Sequence, residues 1–442
     1  MNRILSLVTL ALSLFAGARA APQVEPRADT KYVFAHHIVG NTAPYTQATW
    51  TNDINLAKNS GIDGFALNVG SADYEIAQVK NAYAAAEAVG GFKLFISADM
   101  TANPCASAAD AVPLRNWVTT YYNHPAQFIY NGKVYFSTFL GNDCMFGQSS
   151  VVAGWTNEFK NQLTGAQAVY FVPFFSVDPA TFSNYAGLID GALNWNSGWP
   201  IMLNASNSAS LGLSSIGGSY LPTVSPWFFT HYGTNSFNKN FIYYEDRWQF
   251  TDRWDKLVSE RNSFDIVEIV SWNDYGESHY IGPIVKDALP FQPNRGDSDW
   301  ATGFDHTAWL SLFNYYINAF KSGTTTTPSA DKIFLWVRPH TAGATATSDA
   351  VPKPTNYQMD SDTVWVVVLA TSPATVTLTT GTTTTTNVPA GLSRLSTPII
   401  PGNGASASMT RGSSTVASVS IPSFTFTSSP GKYNYNVHVA SN

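Results

Sequence analysis

The chain has 442 residues, of which only 12% are charged and 14% are aromatic, and its formal net charge is −6. Charged residues stand at about half the roughly 25% of an average soluble protein, so Ser, Thr and Asn must wet the surface. The length suits one large domain and a smaller one, and the lack of a basic stripe argues against a nucleic-acid partner.

The first segment is outside the fold. Arg3 gives a positive start, residues 4–15 an apolar run, and Ala18-Arg19-Ala20 a small-residue cleavage site. That pattern predicts a secretory signal peptide over residues 1–20, followed by a short mature N-terminal or pro segment at 21–30. The apolar run is shorter than the 18 or so residues of a membrane span, and no later segment reaches that length. The expectation is a secreted, extracellular monomer with no membrane partner. Cys105 and Cys144 fit one disulfide in an oxidising compartment, the alternative being two buried thiols. Asn204-Ala205-Ser206 is an N-glycosylation sequon, which puts Asn204 on a surface loop.

Strand patterns follow at residues 32–39, 64–69, 92–98, 134–140, 168–175, 188–195, 223–229 and 264–270. Most are unbroken apolar runs, as strands covered on both faces should be. Helical patterns lie between them at 49–60, 73–89 and 244–260, and a last one at 305–320 closes the series. The Ser- and Gly-rich connection 196–222 is the weakest helix. Eight strands alternating with helices predict an α/β fold, a (β/α)8 TIM-like barrel over residues 31–322. An open sheet is the competitor, but neither G-x-G-x-x-G nor a P-loop follows the first strand. Residues 323–330 read as a Thr/Pro linker. Alternating patterns at 333–338, 364–369, 374–380, 416–421 and 433–439 then predict a β-sandwich accessory domain over 331–442. It shows no aromatic ladder, so it reads as a buttress rather than a sugar-binding module.

A barrel works at the C-terminal ends of its strands. Those ends carry His36 and His37, Asn68, Asp99, Asn142 and Asp143, Asp178, Asn194 and Trp195, and His231 and Tyr232. The eighth strand runs into SWNDYGESHYIGP, residues 271–283. Flat apolar faces beside short polar groups are what a sugar site needs. His36, Asn68, Trp195, Tyr232, Trp272, Asn273, Tyr275, His279 and Tyr280 are therefore the candidate substrate-binding residues. Glycoside hydrolysis needs one carboxyl held protonated and one ionised, and burial with a like-charged neighbour separates their pKa values. Asp274 and Glu277, with Gly276 allowing a tight turn between them, suit that pair.

Plainer readings exist for each residue. D-x-x-E is also a capping pattern, Asp99 also suits a cap for the next loop, and Trp195 and Trp227 also suit a core. His36 and His37 point to opposite sides of a strand, so at most one faces the barrel mouth. No third ligand stands at metal-site spacing and there is no H-E-x-x-H, so no metal and no cofactor is expected. The G-x-S-x-G elbow is absent too.

AHHIVGN (35–41), GIDGFALNVG (61–70), GFKLFISADM (91–100) and WNDYGESHYIGP (272–283) resemble the fungal mutanases. These are secreted α-1,3-glucanases of glycoside hydrolase family 71, and the resemblance spans residues 31–320. It implies endo-type hydrolysis of α-1,3-glucan with inversion at the anomeric carbon. It carries the catalytic pair onto Asp274 and Glu277 and a further essential carboxylate onto Asp99. His36 matches the family position, while His37 stands where an aromatic is expected. Inversion asks for carboxyls about 6.5–9.5 Å apart. The working assignment is Glu277 as acid, Asp274 as base and Asp99 orienting water or a hydroxyl, and the sequence equally allows the first two to be exchanged. The rival readings are a polysaccharide-binding barrel lectin, which needs no carboxylate pair, and a glycosidase for another α-linked polysaccharide.

Overall fold

The apolar runs of the first part of the chain become parallel strands of one curled sheet. The computed structural model describes residues 30–201, 221–244, 246–285, 287, 291–292 and 296–442. The signal-peptide segment and the Asn204 sequon lie outside the described residues.

The first elements are β1 (Tyr32–Ile38), α1 (Gln47–Asn59), β2 (Gly64–Val69), α2 (Asp73–Val89), β3 (Lys93–Asp99) and α3 (Ala111–Tyr121). Next come β4 (Ile129–Tyr130), β5 (Lys133–Phe139), α4 (Val151–Gly154), β6 (Val169–Phe174), β7 (Leu193–Asn194) and β8 (Leu221–Val224). A short antiparallel pair, β9 (Phe229–His231) and β10 (Asn240–Ile242), precedes α5 (Gln249–Ser259) and β11 (Ile266–Ile269). The small pair β12 (Phe291–Gln292) and β13 (Gly296–Asp297) and the helix α6 (Leu310–Ser322) complete this part.

Parallel ladders run in the order β6, β5, β3, β2, β1, β11, β8, β7. That is the order of consecutive strands around a ring. Among the described residues no ladder joins β6 to β7, so the ring is open there. All six residues of β2 and the middle five of β1, β3 and β5 are buried, as runs covered on both faces must be. Helix α1 starts at a reciprocal Thr46–Thr49 capping box and turns Trp50, Ile54 and Ala57 inward.

Several expected elements are shortened. Instead of 188–195 only Leu193–Asn194 pairs, because Asp190 is spent below as an anchor for Lys133, Lys160 and the Phe171 amide. Instead of 223–229 the strand stops at Val224, before Ser225-Pro226; proline has no N–H for a ladder. The helix expected at 244–260 begins at Gln249, since Arg247 and Trp248 take left-handed backbone with φ of 57° and 72°.

Residues 323–330 carry no regular element. Beyond them lie β14 (Lys332–Val337), β15 (Thr363–Ala370), β16 (Ala374–Thr379) and β17 (Thr383–Val388). The chain continues with β18 (Gly391–Pro398), β19 (Ser406–Arg411), β20 (Ser414–Ser420) and β21 (His438–Ser441). They make two four-stranded antiparallel sheets, β18-β15-β14-β21 and β17-β16-β19-β20. The pattern expected at 433–439 pairs only from His438 onward, because side chains hold the preceding residues: the Asn434 amide donates to His340 and the Asn436 amide to Asn434.

Alternation along β14 explains how the parts are joined. Ile333, Leu335 and Val337 enter a core shared by the two C-terminal sheets, whereas Phe334 and Trp336 enter the core of the parallel sheet and its helices. Trp336 meets Trp248, Phe250 and Trp309, and Trp365 of β15 meets Trp248 at 4.9 Å. Arg394 of β18 adds bonds to Asp252 and Asp255 of α5. Residues 31–442 consequently form one compact unit.

Cys105 and Cys144 are joined, tying the loop after β3 to the loop after β5 across 39 residues. Replacing both by Ser is expected to remove about 3–5 kcal/mol by the chain-entropy account. A fall in unfolding midpoint, matched when reductant is added to the wild type, checks this.

Candidate active site

Where β11 ends, residues 271–282 fold back on themselves. The Ser271 amide donates to the His279 carbonyl, the Ile281 amide to the Ser271 carbonyl and the Gly282 amide to the Trp272 carbonyl. The loop is pinned to β1 through the Trp272 amide on the His36 carbonyl, at 2.7 Å, and through Asn273, whose side chain bonds both the amide and the carbonyl of Ile38. Asp274 and Glu277 project from it with about a fifth of each side chain exposed. The capping reading of D-x-x-E is realised as well, for the Glu277 amide donates to Asp274 Oδ1 at 3.0 Å.

These carboxylates open on a cleft of about 540 Å³. His36, Asn68, Asp99, Trp195 and Tyr232 line it with them, from the ends of β1, β2, β3, β7 and β9. Five other expected binding residues lie elsewhere. Trp272, Asn273, Tyr275, His279 and Tyr280 are fully buried beneath the cleft floor. Tyr275 donates to the Pro283 carbonyl, and Tyr280 stacks on His306 and donates to the Phe304 carbonyl. Their bonds hold the loop, and none of the five lines the cleft. Trp227 is core, its indole bound to the Tyr435 carbonyl. His37 stacks on Trp50 at 4.4 Å and approaches Asp53, away from the cleft. Asp178 caps its own turn, and the Asn142 side chain accepts from the Ser176 amide.

Asp274 and Glu277 are drawn together by buried His279. Its Nε2 lies 3.2 Å from Glu277 Oε2 and 3.6 Å from Asp274 Oδ2, and Nδ1 lies 3.0 Å from Ser271 Oγ. With the Glu277 carboxylate accepting at Nε2, that nitrogen carries a proton. The oxygens facing the ring lie within 4.8 Å of each other, closer than the spacing expected for inversion. Lys239, which the sequence reading missed, reaches Glu277 Oε1 at 3.1 Å. These neighbours part the two acids. Burial, followed by the negative charge of Glu277, pushes Asp274 above the ordinary carboxylate range against the pull of His279. Burial acts on Glu277 too, but the His279 hydrogen bond and the Lys239 ammonium outweigh it and hold Glu277 below its ordinary value. Of the two, Asp274 is the one whose surroundings favour holding a proton and Glu277 the one whose surroundings favour the charge, the order opposite to the working assignment.

Asp274, Glu277 and His279 are also, among the described residues, the one group whose donor atoms converge enough for a cation. Lys239 already balances the charge on Glu277, so the pair needs no ion to coexist.

Other contributors have their own supports. Asp99 accepts from the amide and hydroxyl of Thr101 on one oxygen, so its turn-capping role is realised beside its place in the cleft. His36 Nδ1 is 2.7 Å from Glu268 Oε1, while its buried Nε2 has no partner among the described residues. Glu268 was also missed, although a carboxylate inside the apolar run FDIVEIV was a visible signal. Ile38, Asn41, Thr101, Phe139 and Phe237 also line the cleft.

Paired carboxyls in a cleft, with surroundings that pull their proton affinities apart, have the form of the acid–base sites used on glycosides. The profile of Glycosyl hydrolase family 71 matches residues 29–442, and the chain belongs to that family. It is 40% identical over 347 residues to the glucan endo-1,3-alpha-glucosidase agn1 of Schizosaccharomyces pombe, covering 76% of this chain and 77% of the relative. An ascus wall endo-1,3-alpha-glucanase of the same yeast is 35% identical over 355 residues, 77% of this chain and 79% of that protein. A mutanase of Penicillium rubens is 34% identical over 382 residues, 84% and 79% of the two chains.

Gly276 is required by close approach, not by turn geometry. Its φ is not positive, and an added Cβ would stand 2.6 Å from the Tyr232 hydroxyl oxygen and 3.5 Å from the nearest ring atoms. Gly276→Ala should destabilise by about 1–3 kcal/mol and lower activity. Adding Tyr232→Phe removes the colliding atom and should recover most of the stability, read as unfolding midpoints in the two backgrounds.

Proposed function

We propose that the protein hydrolyses α-1,3-glucosidic bonds within α-1,3-glucan chains outside the cell, with Asp274 as general acid and Glu277 as general base. The observation that carries this is the Asp274–Glu277 pair, set in a cleft with its proton affinities parted by His279 and Lys239. Asp274 gives its proton to the leaving glycosidic oxygen, and Glu277 takes one from the water that attacks the anomeric carbon. His36 Nε2, Asn68 and Asp99 present polar groups to hydroxyls, and Trp195, Tyr232 and Phe139 present rings. The linkage comes from the names of the relatives, since carboxylates do not report it. The same reading takes the curled sheet as a (β/α)8 barrel, supported by the ring order of its strands, and the C-terminal sheets as a sandwich, supported by their common core. Secretion rests on the N-terminal signal and on the wall substrate; among the described residues no helix is long and apolar enough to cross a membrane.

Inversion, which the family resemblance implies, requires a sugar and a water to enter between the carboxyls and part them from His279. Proton NMR in the first minutes of digestion should show the β-anomer forming first; an α-anomer would mean retention.

Asp274→Asn and Glu277→Gln should each lower reducing-sugar release from insoluble α-1,3-glucan by about 10³-fold or more. Wild type that binds the glucan and releases nothing would instead establish a lectin. The kcat/KM profile should be bell-shaped, as activity needs Glu277 ionised and Asp274 protonated. It falls on the acid side as Glu277 gains its proton and on the alkaline side as Asp274 loses its own.

A further inference from the structure

Lys239 is carried into the cleft by the β9–β10 hairpin, whose pairs are Phe229 with Ile242, Thr230 with Phe241 and His231 with Asn240. One side of this hairpin touches the catalytic loop, the Phe229 amide donating to the Glu277 carbonyl at 3.0 Å. Its other side is held by residues 349–356 of the C-terminal part. His231 Nε2 pairs with Asp349 Oδ2 at 2.9 Å, both side chains nearly buried. The Asn240 side chain donates to the Pro352 carbonyl at 2.7 Å. Thr355 exchanges backbone bonds with both Asn240 and Ile242 at 3.1 Å, adding a third extended segment beside Phe241. Asp349 is itself fixed by the amides of Val351 and Tyr433.

A two-stranded hairpin alone is marginal in water and needs a third strand or a packed face. Here the C-terminal part supplies both. We infer that segment 349–356 is a positioning element of the active site: by clamping the β9–β10 hairpin it sets Lys239 against Glu277, and so decides which carboxyl begins the cycle charged. This rests on the reading of Glu277 as base. The C-terminal part is thereby a working component of catalysis, not a passive buttress.

The electrostatics around Glu277 leave this task to Lys239. The titratable groups facing it are Lys239, His279, Asp274 and Tyr243, with His36 and Asp99 sharing the same cleft. Of these, Lys239 is the one fixed positive charge. Its ammonium is drawn above its ordinary value by Glu277 first, and by Asp274 and Tyr243 in addition, against the opposing effect of burial.

The test is the pH profile of kcat/KM on soluble α-1,3-linked oligosaccharides, with unfolding midpoints measured alongside. Lys239→Met should raise the acid-limb pKa by on the order of one pH unit, and Lys239→Arg should hold it near wild type. Asp349→Asn, which leaves every catalytic group in place, should move the limb in the same direction by a smaller amount. Combined with Lys239→Met it should add nothing. Asn240→Ala, a milder cut in the same clamp, serves if Asp349→Asn folds poorly. Clamp variants that lower the midpoint while leaving the acid limb at the wild-type pH would overturn the inference. Full activity in Glu277→Gln would overturn the underlying reading instead, so the two failures are separable.

Discussion

Two carboxyl groups whose nearest oxygens lie within 4.8 Å repel each other, and most of this site is organised around making that tolerable. Burial favours the neutral form of Asp274, which eases the repulsion. A buried imidazole bridges the pair, and an ammonium neutralises the remaining charge from the other side. Each helper needs a scaffold. His279 is oriented by Ser271, whose hydroxyl also holds the Asp274 amide, so the first residue after the strand arranges both the histidine and the acid. Lys239 comes from a different part of the chain and depends on a hairpin with supports on both flanks.

The strand order of the first 300 residues was legible because buried parallel strands write themselves as unbroken apolar runs. What was lost was lost locally. A Ser-Pro pair cut one run, an aspartate withdrawn to anchor lysines cut another, and left-handed backbone delayed a helix. Strand β17 gave no apolar signal, since Thr383 to Asn387 are exposed on both faces of an edge. Strand β15 was easy to find for the opposite reason, being apolar along nearly its whole length because both of its faces are covered, whereas its neighbour β18, with no unbroken apolar run, was missed.

Within the site, the predicted carboxylates Asp99, Asp274 and Glu277 meet at one cleft, whereas several of the predicted aromatics lie buried outside it. Composition does not separate a ring that stacks on a sugar from one that wedges a loop against the core. Trp272, Tyr275 and Tyr280 do the latter, while Trp195 and Tyr232 reach the cleft. Lys239 was invisible because its partner stands 38 residues away in a loop with no periodic pattern, so only the folded chain brings them together. Glu268 was readable and passed over; a carboxylate amid apolar strand residues has few reasons to be there other than a buried partner, and His36 is that partner.

The sheet covered on both faces also dictates an order of assembly. Strand β14 lies between β15 and β21, the second of which is contributed a hundred residues later, and its outward aromatics cap α5 and α6. As the polypeptide leaves the ribosome, those helices are made with Trp248, Phe250 and Trp309 uncovered until β14 and β15 arrive. Long-range pairing of this kind closes slowly, and exposed apolar faces invite association in the interval. The molecule therefore matures as a single piece, and its C-terminal sheets are not a cassette that domain shuffling exchanges freely.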